Sequence, residues 1–365
     1  VPNFSKMYLS NLSIWNFKNF IETELEFSDS INCFVGNNGA GKTNLLDAIF
    51  FLSFTKSAFN TDSQVLNHDS DFFALHGSYF RSEHIEKIHC GYKNKKKIFK
   101  RNQKEYTKVS EHIGFLPLIM ISPNDISLIL DGSEVRRKFI DHIICQCDAK
   151  YLEILLQHNH ILKQRNALLK QFFDNTLFEI LNEQLIPLAT EIFNKRKHFL
   201  TNFLPIFQHF YEFISQKNEI VSLSYSSQLQ EKDLKTLFSQ NFDRDKKLQH
   251  TTKGIHRDDF DFKLGKKSLR IVASQGQQKT FLTSLKMAGY EFLKQQHSLK
   301  PILLLDDIFD KLDFLRVKKI IELVAYQEFG QIFITDTQVD RIKPFLISLT
   351  KNYKIFNIQN GKIIE

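Results

Sequence analysis

A chain of 365 residues with 42% apolar and 25% charged residues, 13 Gly and 7 Pro is neither disordered nor collagen-like, and its length fits two or three domains or one large domain with an insertion. No apolar run approaches the roughly 20 residues that cross a bilayer, and the N-terminus lacks the apolar core of a signal peptide. The net charge of +8 is local, because residues 93–104 (KNKKKIFKRNQK) hold seven basic residues and no acidic one.

The start reads as β-rich. Met7–Phe17 and Glu22–Phe27 partly alternate, Ile31–Val35 is a short buried-strand candidate, and a helical pattern follows Gly41. Met7 is a candidate start, which would make residues 1–6 an upstream extension. Residues 72–109 read as strands and turns around the basic cluster. From about Ser133 to Lys217 Gly is scarce and helical spacing is long, as for a helical subdomain inserted into an α/β chain. Pro187 and Pro205 are expected to kink or break it; helices of about 20–25 residues would reach roughly 30–38 Å. After Pro301 the run Ile302-Leu303-Leu304-Leu305 reads as a strand, residues 314–326 as a helix and Gln331–Thr335 as a strand. Tyr353–Ile358 and Lys362–Ile364 form a last pair. The 36 Phe against one Trp read as a Phe-rich core. Cys33, Cys90, Cys145 and Cys147 form no C-x-x-C pair, so a zinc site is not expected and a reducing, cytoplasmic location is.

The strongest motif is Gly36-Asn37-Asn38-Gly39-Ala40-Gly41-Lys42-Thr43, followed by Asn44, which fits G-x-x-x-x-G-K-[ST] with a strand entering and a helix leaving. Glycines let backbone N–H groups curl around phosphate oxygens, and the helix N-terminus adds positive potential. Lys42 would reach the β- and γ-phosphates of ATP and Thr43 would ligate Mg²⁺. The buried-strand run into Asp306-Asp307 fits a Walker B, with Asp306 on Mg²⁺ and Asp307 polarising the attacking water; a helix N-cap is the plainer role for Asp307. The long insertion between these halves points to ABC- or SMC-type ATPases. Two further motifs of that class stand in order. Ser274-Gln275-Gly276-Gln277 begins a helical stretch, as a signature that binds a γ-phosphate would, and Lys311-Leu312-Asp313 stands at D-loop distance.

On these residues the chain resembles the RecF family. The resemblance runs from Met7-Tyr8-Leu9 and Asn16-Phe17-Lys18-Asn19-Phe20 through GNNGAGKTNLLDAI, Ser122-Pro123-Asn124-Asp125, Arg136-Arg137-Lys138-Phe139-Ile140-Asp141, Gln164-Arg165-Asn166-Ala167-Leu168-Leu169-Lys170 and His256-Arg257-Asp258-Asp259 to SQGQQKT and LLLDDIFDKLD. It implies an ABC/SMC-type P-loop ATPase head with an inserted, mainly helical lobe: residues 1–120 and 296–365 as one lobe, and 121–295 as the second, with its arm at about 133–217. It also implies ATP and Mg²⁺ as cofactors, an ATP-dependent homodimer with the signature acting in trans, and a clamp on double-stranded DNA and single/double-strand junctions. RecR and RecO would be partners, RecA an indirect one, and there would be no membrane. The segment after the last core strand, Thr335-Asp336-Thr337, lacks the transporter His; family members tend to be Thr-rich there, which implies a sensing role for Thr335. Lys18 stands where the family often has Arg, so its contact with nucleotide stays open.

Other residues carry two readings. Lys93, Lys95, Lys96, Lys97, Lys100 and Arg101 read either as a solvated hairpin or as a patch facing a polyanion; the resemblance favours DNA. Tyr92, Phe99 and Tyr106 could stack on bases, but strand core is the expectation. Arg136 and Arg137 read either as facing DNA or the base of the arm or as salt-bridged structure, the latter being the expectation, and His256 and Arg257 fit a structural turn or a sensing role equally. A nuclease-coupled or anti-phage ATPase with the same head is the alternative function. A transporter subunit is disfavoured because the LSGGQ and switch His it would need are absent here, and a small-molecule kinase is disfavoured by the distant carboxylates.

Overall fold

The computed structural model describes residues 4–170, 175–215, 219–307, 329–348 and 352–364. In chain order come strands β1 (Met7–Phe17), β2 (Phe20–Glu26) and β3 (Ile31–Val35), then helix α1 (Lys42–Phe54). Next are β4 (Phe72–Arg81), β5 (His84–Lys93), β6 (Lys96–Arg101), β7 (Lys104–Glu105) and β8 (Leu118–Ile121). Helices α2 (Ser127–Leu130), α3 (Ser133–Cys147), α4 (Ala149–Leu168) and α5 (Asn175–Ser215) follow. Then stand β9 (Val221–Ser226), α6 (Leu234–Gln240), α7 (Phe242–Leu248), β10 (Asp259–Leu264), β11 (Lys267–Ser268), α8 (Leu269–Val272) and α9 (Gln275–His297). The chain closes with β12 (Ile302–Leu305), β13 (Ile332–Asp336), α10 (Val339–Ser348), β14 (Tyr353–Gln359) and β15 (Lys362–Ile364).

Two six-stranded sheets share the first compact unit, residues 1–125, 213–215 and 279–365. One is an antiparallel sheet in the order β2-β1-β4-β5-β6-β7. The other, β15-β14-β3-β13-β12-β8, is parallel except for β15. Every residue of β3, β8, β12 and β13 is buried, as continuous apolar runs in a parallel sheet require. Part of the Phe excess lies in this core: Phe27, Phe34, Phe333 and Phe356 form one cluster, with Phe27 and Phe333 centroids 4.9 Å apart. Parallel strands end on one edge, where open α/β sheets bind ligands. The loop after β3 and the carboxylates after β12 both leave from that edge, with β13 between their strands.

The second unit, residues 126–212 and 216–278, holds helices α3 and α4 and a three-stranded sheet, β11-β10-β9. The expected lobe boundary at residue 296 differs from the observed one at 279. From Thr280 onward α9 buries Phe281, Leu285, Met287, Tyr290 and Leu293. The Lys286 ammonium donates to the Met120 carbonyl and pairs with Asp125, and the Tyr290 hydroxyl donates to the Pro301 carbonyl, so this stretch is core of the first unit. The expected breaks at Pro187 and Pro205 are also corrected. Both prolines lie inside one 41-residue helix, α5, about 60 Å long at 1.5 Å per residue. Both are exposed, while Leu185, Ala189, Ile192, Phe199, Phe203 and Phe207 keep the buried stripe continuous past them. The expected helix over residues 314–326 lies outside the described residues. Among the described residues no helix is long and apolar enough to cross a membrane.

Candidate nucleotide site

The loop from Gly36 to Gly41 joins a buried strand to a helix with no capping side chain. Gly41, the N-cap of α1, has φ 116° and no side-chain cap bond. The first N–H groups of that helix are thus left for an anion. Gly39 has φ 80°, a conformation that favours Gly. At Gly36 a Cβ would lie 2.2 Å from the Ile358 carbonyl oxygen, so only Gly fits. Lys42 is 4% exposed, and its ammonium donates to the carbonyls of Gly36 (2.8 Å) and Asn37 (3.1 Å). Asn38, Gly39, Gly41, Lys42, Thr43, Asn44, Pro123 and Asp307 line an open cavity of about 390 Å³.

Asp306 reaches this loop because β12 is one strand removed from β3. The Thr43 hydroxyl donates to its carboxylate at 2.9 Å, and the Thr335 hydroxyl, from the intervening β13, donates at 2.8 Å. Burial pushes the Asp306 carboxyl above the usual range, and the neighbouring Asp307 charge adds to this. The Thr335 and Thr43 hydrogen bonds and Lys42 act in the opposite direction. A buried carboxylate beside a hydroxyl, destabilised by a second carboxylate, is a hard-oxygen donor set that suits Mg²⁺. Asp307 has φ 44°, uncommon for a residue other than Gly and tolerated best by Asn and Asp; its N–H donates to the Thr335 hydroxyl at 2.8 Å. Thr335 is fully buried. The residue expected to sense phosphate therefore bridges Asp306 and the Asp307 backbone.

Two residues near the loop were not legible from its motif. Asn19, in the β1–β2 turn, donates to the Ala40 carbonyl at 3.1 Å and accepts from the Asn44 side chain at 2.7 Å. Its neighbour Lys18 pairs at 2.7 Å with Asp47 of α1, a fully buried carboxylate. The ammonium of Lys18 is thereby committed to the helix that follows the loop.

Ser274 and Gln277 form a reciprocal capping box at the start of α9: Gln277 N–H donates to the Ser274 hydroxyl and Ser274 N–H to the Gln277 side chain. Gln277 also donates to Glu219. Ser274 and Gln275 are exposed, and so are the preceding Ile271 (81%) and Val272. Asp313 lies outside the described residues.

The basic segment divides by strand direction. Lys97 points inward, donating to the Thr55 carbonyl at 2.6 Å and to Asp62 at 2.7 Å. Arg101 makes a bidentate pair with Glu86 at 2.9 and 2.7 Å, a hydrogen bond that holds the Glu86 carboxyl below its usual range. Lys93 pairs loosely with Asp71, both more than half exposed. Lys95 and Lys96 are exposed and Lys100 is half-buried on the outer face. Phe99 is buried strand core, as expected, whereas Tyr92, stacked on Phe73, and Tyr106, just past β7 and against His112, are half-buried and pack against that core.

The family-specific segments of the second unit form its internal frame. Arg136 holds Asp259 bidentately at 2.7 and 2.9 Å, and Arg137 donates to the Asp258 carbonyl at 2.6 Å. The buried Arg196 joins Asp141 and Asp258, and the Tyr225 hydroxyl donates to Asp258. The His256 ring bonds the Thr251 carbonyl at 3.0 Å and Arg257 donates to the same oxygen. Arg165, fully buried, donates to Asp245 at 3.0 Å between the rings of Phe178 and Phe238.

Comparison with known proteins agrees with this geometry. The family model described as RecF/RecN/SMC N terminal domain matches residues 8–363. A DNA replication and repair protein RecF of Flavobacterium johnsoniae is 48% identical over 359 residues, covering 96% of this chain and 100% of the relative. One of Phocaeicola vulgatus is 46% identical over 365 residues, covering 98% of each. A solved structure of the recombination mediator protein RecF with ATPrS, in the RecFOR pathway, superposes with a TM-score of 0.88 at 30% identity, covering 100% of this chain and 99% of its own. An Smc head from Pyrococcus furiosus, bound to the C-terminal domain of ScpA, has a TM-score of 0.57 at 17% identity, covering 98% of this chain and 96% of its own, and shows the fold alone. With a phosphate-type loop, a carboxylate pair at the same sheet edge and full-length similarity, the chain belongs to the RecF family of ABC/SMC-type ATPases.

Proposed function

We propose that the protein is an ATP-dependent DNA-binding ATPase of recombinational and replication-gap repair, acting as a dimer that closes on DNA. The observation that carries this is the convergence of Thr43 and Thr335 on Asp306 at the mouth of the Gly36–Thr43 loop. The N–H groups of that loop would cradle the ATP phosphates, and Lys42 would turn from the loop carbonyls to the β- and γ-phosphates. Thr43 and Asp306 would hold Mg²⁺, which when bound neutralises charge on the phosphate oxygens. Asp307, facing the same cavity, would polarise the attacking water.

Ser274-Gln275-Gly276-Gln277 would cap ATP held by the second subunit, with Asp313 at the same junction. The exposed Ile271 and Val272 beside it suit a surface covered by a partner. Relatives named for DNA replication and repair, and a solved relative placed in the RecFOR pathway, support RecO and RecR as partners and RecA loading at single-stranded gaps as the outcome. The Lys95, Lys96 and Lys100 face would contact duplex or junction DNA. The test is sedimentation of the protein with labelled junction DNA. ATP, and not ADP, should convert it to a DNA-bound dimer; equal behaviour with both nucleotides would refute the proposal.

A further inference from the structure

Two turns from opposite ends of the chain meet at one carbonyl of the loop. The Ala40 oxygen accepts from the Asn19 side chain at 3.1 Å and from the Gly361 N–H at 2.9 Å. Gly361 is the second residue of the two-residue β14–β15 turn, with φ 73°, and Asn360 before it has φ 49°. This is the Asn-Gly pairing a tight hairpin favours. A Cβ on Gly361 would lie 2.1 Å from the Asn19 carbonyl oxygen, and one on Gly41 would lie 2.6 Å from the Asn19 side chain. Asn19 is itself held in place. Its side-chain oxygen accepts from Asn44 at 2.7 Å, which turns its NH₂ toward Ala40, and Lys18 beside it is anchored on Asp47.

The consequence follows from peptide planarity. In a trans peptide the C=O of Ala40 and the N–H of Gly41 point in opposite directions. Two donors holding that oxygen on the outer side of the loop direct the Gly41 N–H inward, toward the cavity that Gly41, Lys42 and Thr43 line. We propose that Asn19 is a positioning residue for nucleotide binding, fixing the Ala40–Gly41 peptide so that its N–H is ready for a phosphate oxygen before nucleotide arrives. This rests on the reading of the Gly36–Thr43 loop as the phosphate site. The Gly361 N–H is the second clamp, supplied by backbone alone.

The experiment measures ATP and ADP affinity by calorimetry, and KM and kcat for ATP hydrolysis, in Asn19→Ala, Asn19→Asp and Lys42→Ala. Asn19→Asp keeps the side-chain volume and the acceptor for Asn44 but replaces the donor facing Ala40 with an oxygen. Both Asn19 variants should bind ATP and ADP about tenfold more weakly, by the same factor, as for the loss of one hydrogen bond to a charged group. The loss should appear mainly in KM. A role confined to the fold would lower the melting temperature without changing the affinity of the folded fraction. Native affinity for both nucleotides in the folded variants would overturn the proposal, and so would failure of both variants to fold. If Lys42→Ala also binds ATP natively, the phosphate site itself is misassigned; if only Lys42→Ala loses ATP, the site stands and the role of Asn19 falls.

Discussion

If the outer face of β6 contacts DNA phosphates, removing its outward lysines must change the salt dependence of binding, and removing its inward cations must not. The β5–β6 pairing sets Lys100 across from His89 and Lys96 across from Lys93, on the face opposite Phe99. Lys95 lies in the turn between the strands. Among the described residues Lys95, Lys96 and Lys100 make no ion pair, whereas Lys97 and Arg101 are held by Asp62 and Glu86. Each phosphate neutralised contributes about 0.9 to the slope of log affinity against log salt. The triple replacement Lys95→Gln, Lys96→Gln, Lys100→Gln should therefore flatten the slope by up to about 2.7. Between 50 and 200 mM salt that is a difference of roughly 40-fold in how far affinity falls. Lys97→Gln should leave the slope unchanged and instead lower stability by about 1–2 kcal/mol, through the loss of charge-assisted bonds to Asp62 and the Thr55 carbonyl. The assay is fluorescence anisotropy of a labelled duplex–single-strand junction, titrated with protein and ATP at four salt concentrations. An unchanged slope in the triple variant, or a Lys97→Gln slope as flat as that of the triple, would refute the assignment of this face.

Asp307→Asn should keep ATP bound and trap the dimer while hydrolysis falls at least a hundredfold; native turnover would return Asp307 to a structural cap. Ser274→Arg should leave monomeric ATP binding nearly intact but prevent ATP-induced dimerisation, and mixing it with Lys42→Ala should restore one composite site. Normal sedimentation of the Ser274 variant with ATP as a dimer would exclude a signature acting in trans. Burial lowers the His112 pKa from 6.5 to about 4, and its ring bonds the Leu52 carbonyl at 2.7 Å. The unfolded chain then binds the extra proton first as pH falls. Stability is full above pH 6.5 and declines toward pH 4, by about 3 kcal/mol for this group. His112→Gln should flatten the fall in melting temperature over that window, and an identical pH profile would disprove it.

The sequence made the phosphate loop and carboxylate pair legible because backbone geometry restricts those positions to few residue types. Gly36 is fixed by the Ile358 carbonyl, Gly39 and Gly41 by positive φ, and Asp306 by the end of a buried parallel strand. Charge counting could not divide the basic segment, since seven cations in a row of twelve look equivalent until a strand period is applied. In β6 that period sends Lys97, Phe99 and Arg101 to one face and Lys96, Ile98 and Lys100 to the other. Likewise, the two prolines of α5 looked like breaks because their cost is local, about one lost hydrogen bond and a clash each. The apolar stripe that outweighs this cost runs over the whole helix.

What stayed hidden has a common cause. Asn19 and Gly361 are adjacent only because β14 pairs with β3 in a parallel sheet whose strands come from both ends of the chain. No local pattern marks an Asn in one turn as the partner of a carbonyl in another. The same holds for the arginines of the second unit: Arg136, Arg165 and Arg196 satisfy the half-buried Asp259 and the buried Asp245 and Asp141, 123, 80 and 55 residues away. Leaving one of those charges buried and unpaired would cost several kcal/mol. That cost falls on the fold whether or not the residue ever meets a ligand. Motif specificity and ligand contact are therefore separate properties here. The segments that best distinguish this family in its second unit hold that unit together, while the generic loop and Asp307 line the open cavity, with Asn19 of the first family segment bonded to the loop's Ala40 carbonyl.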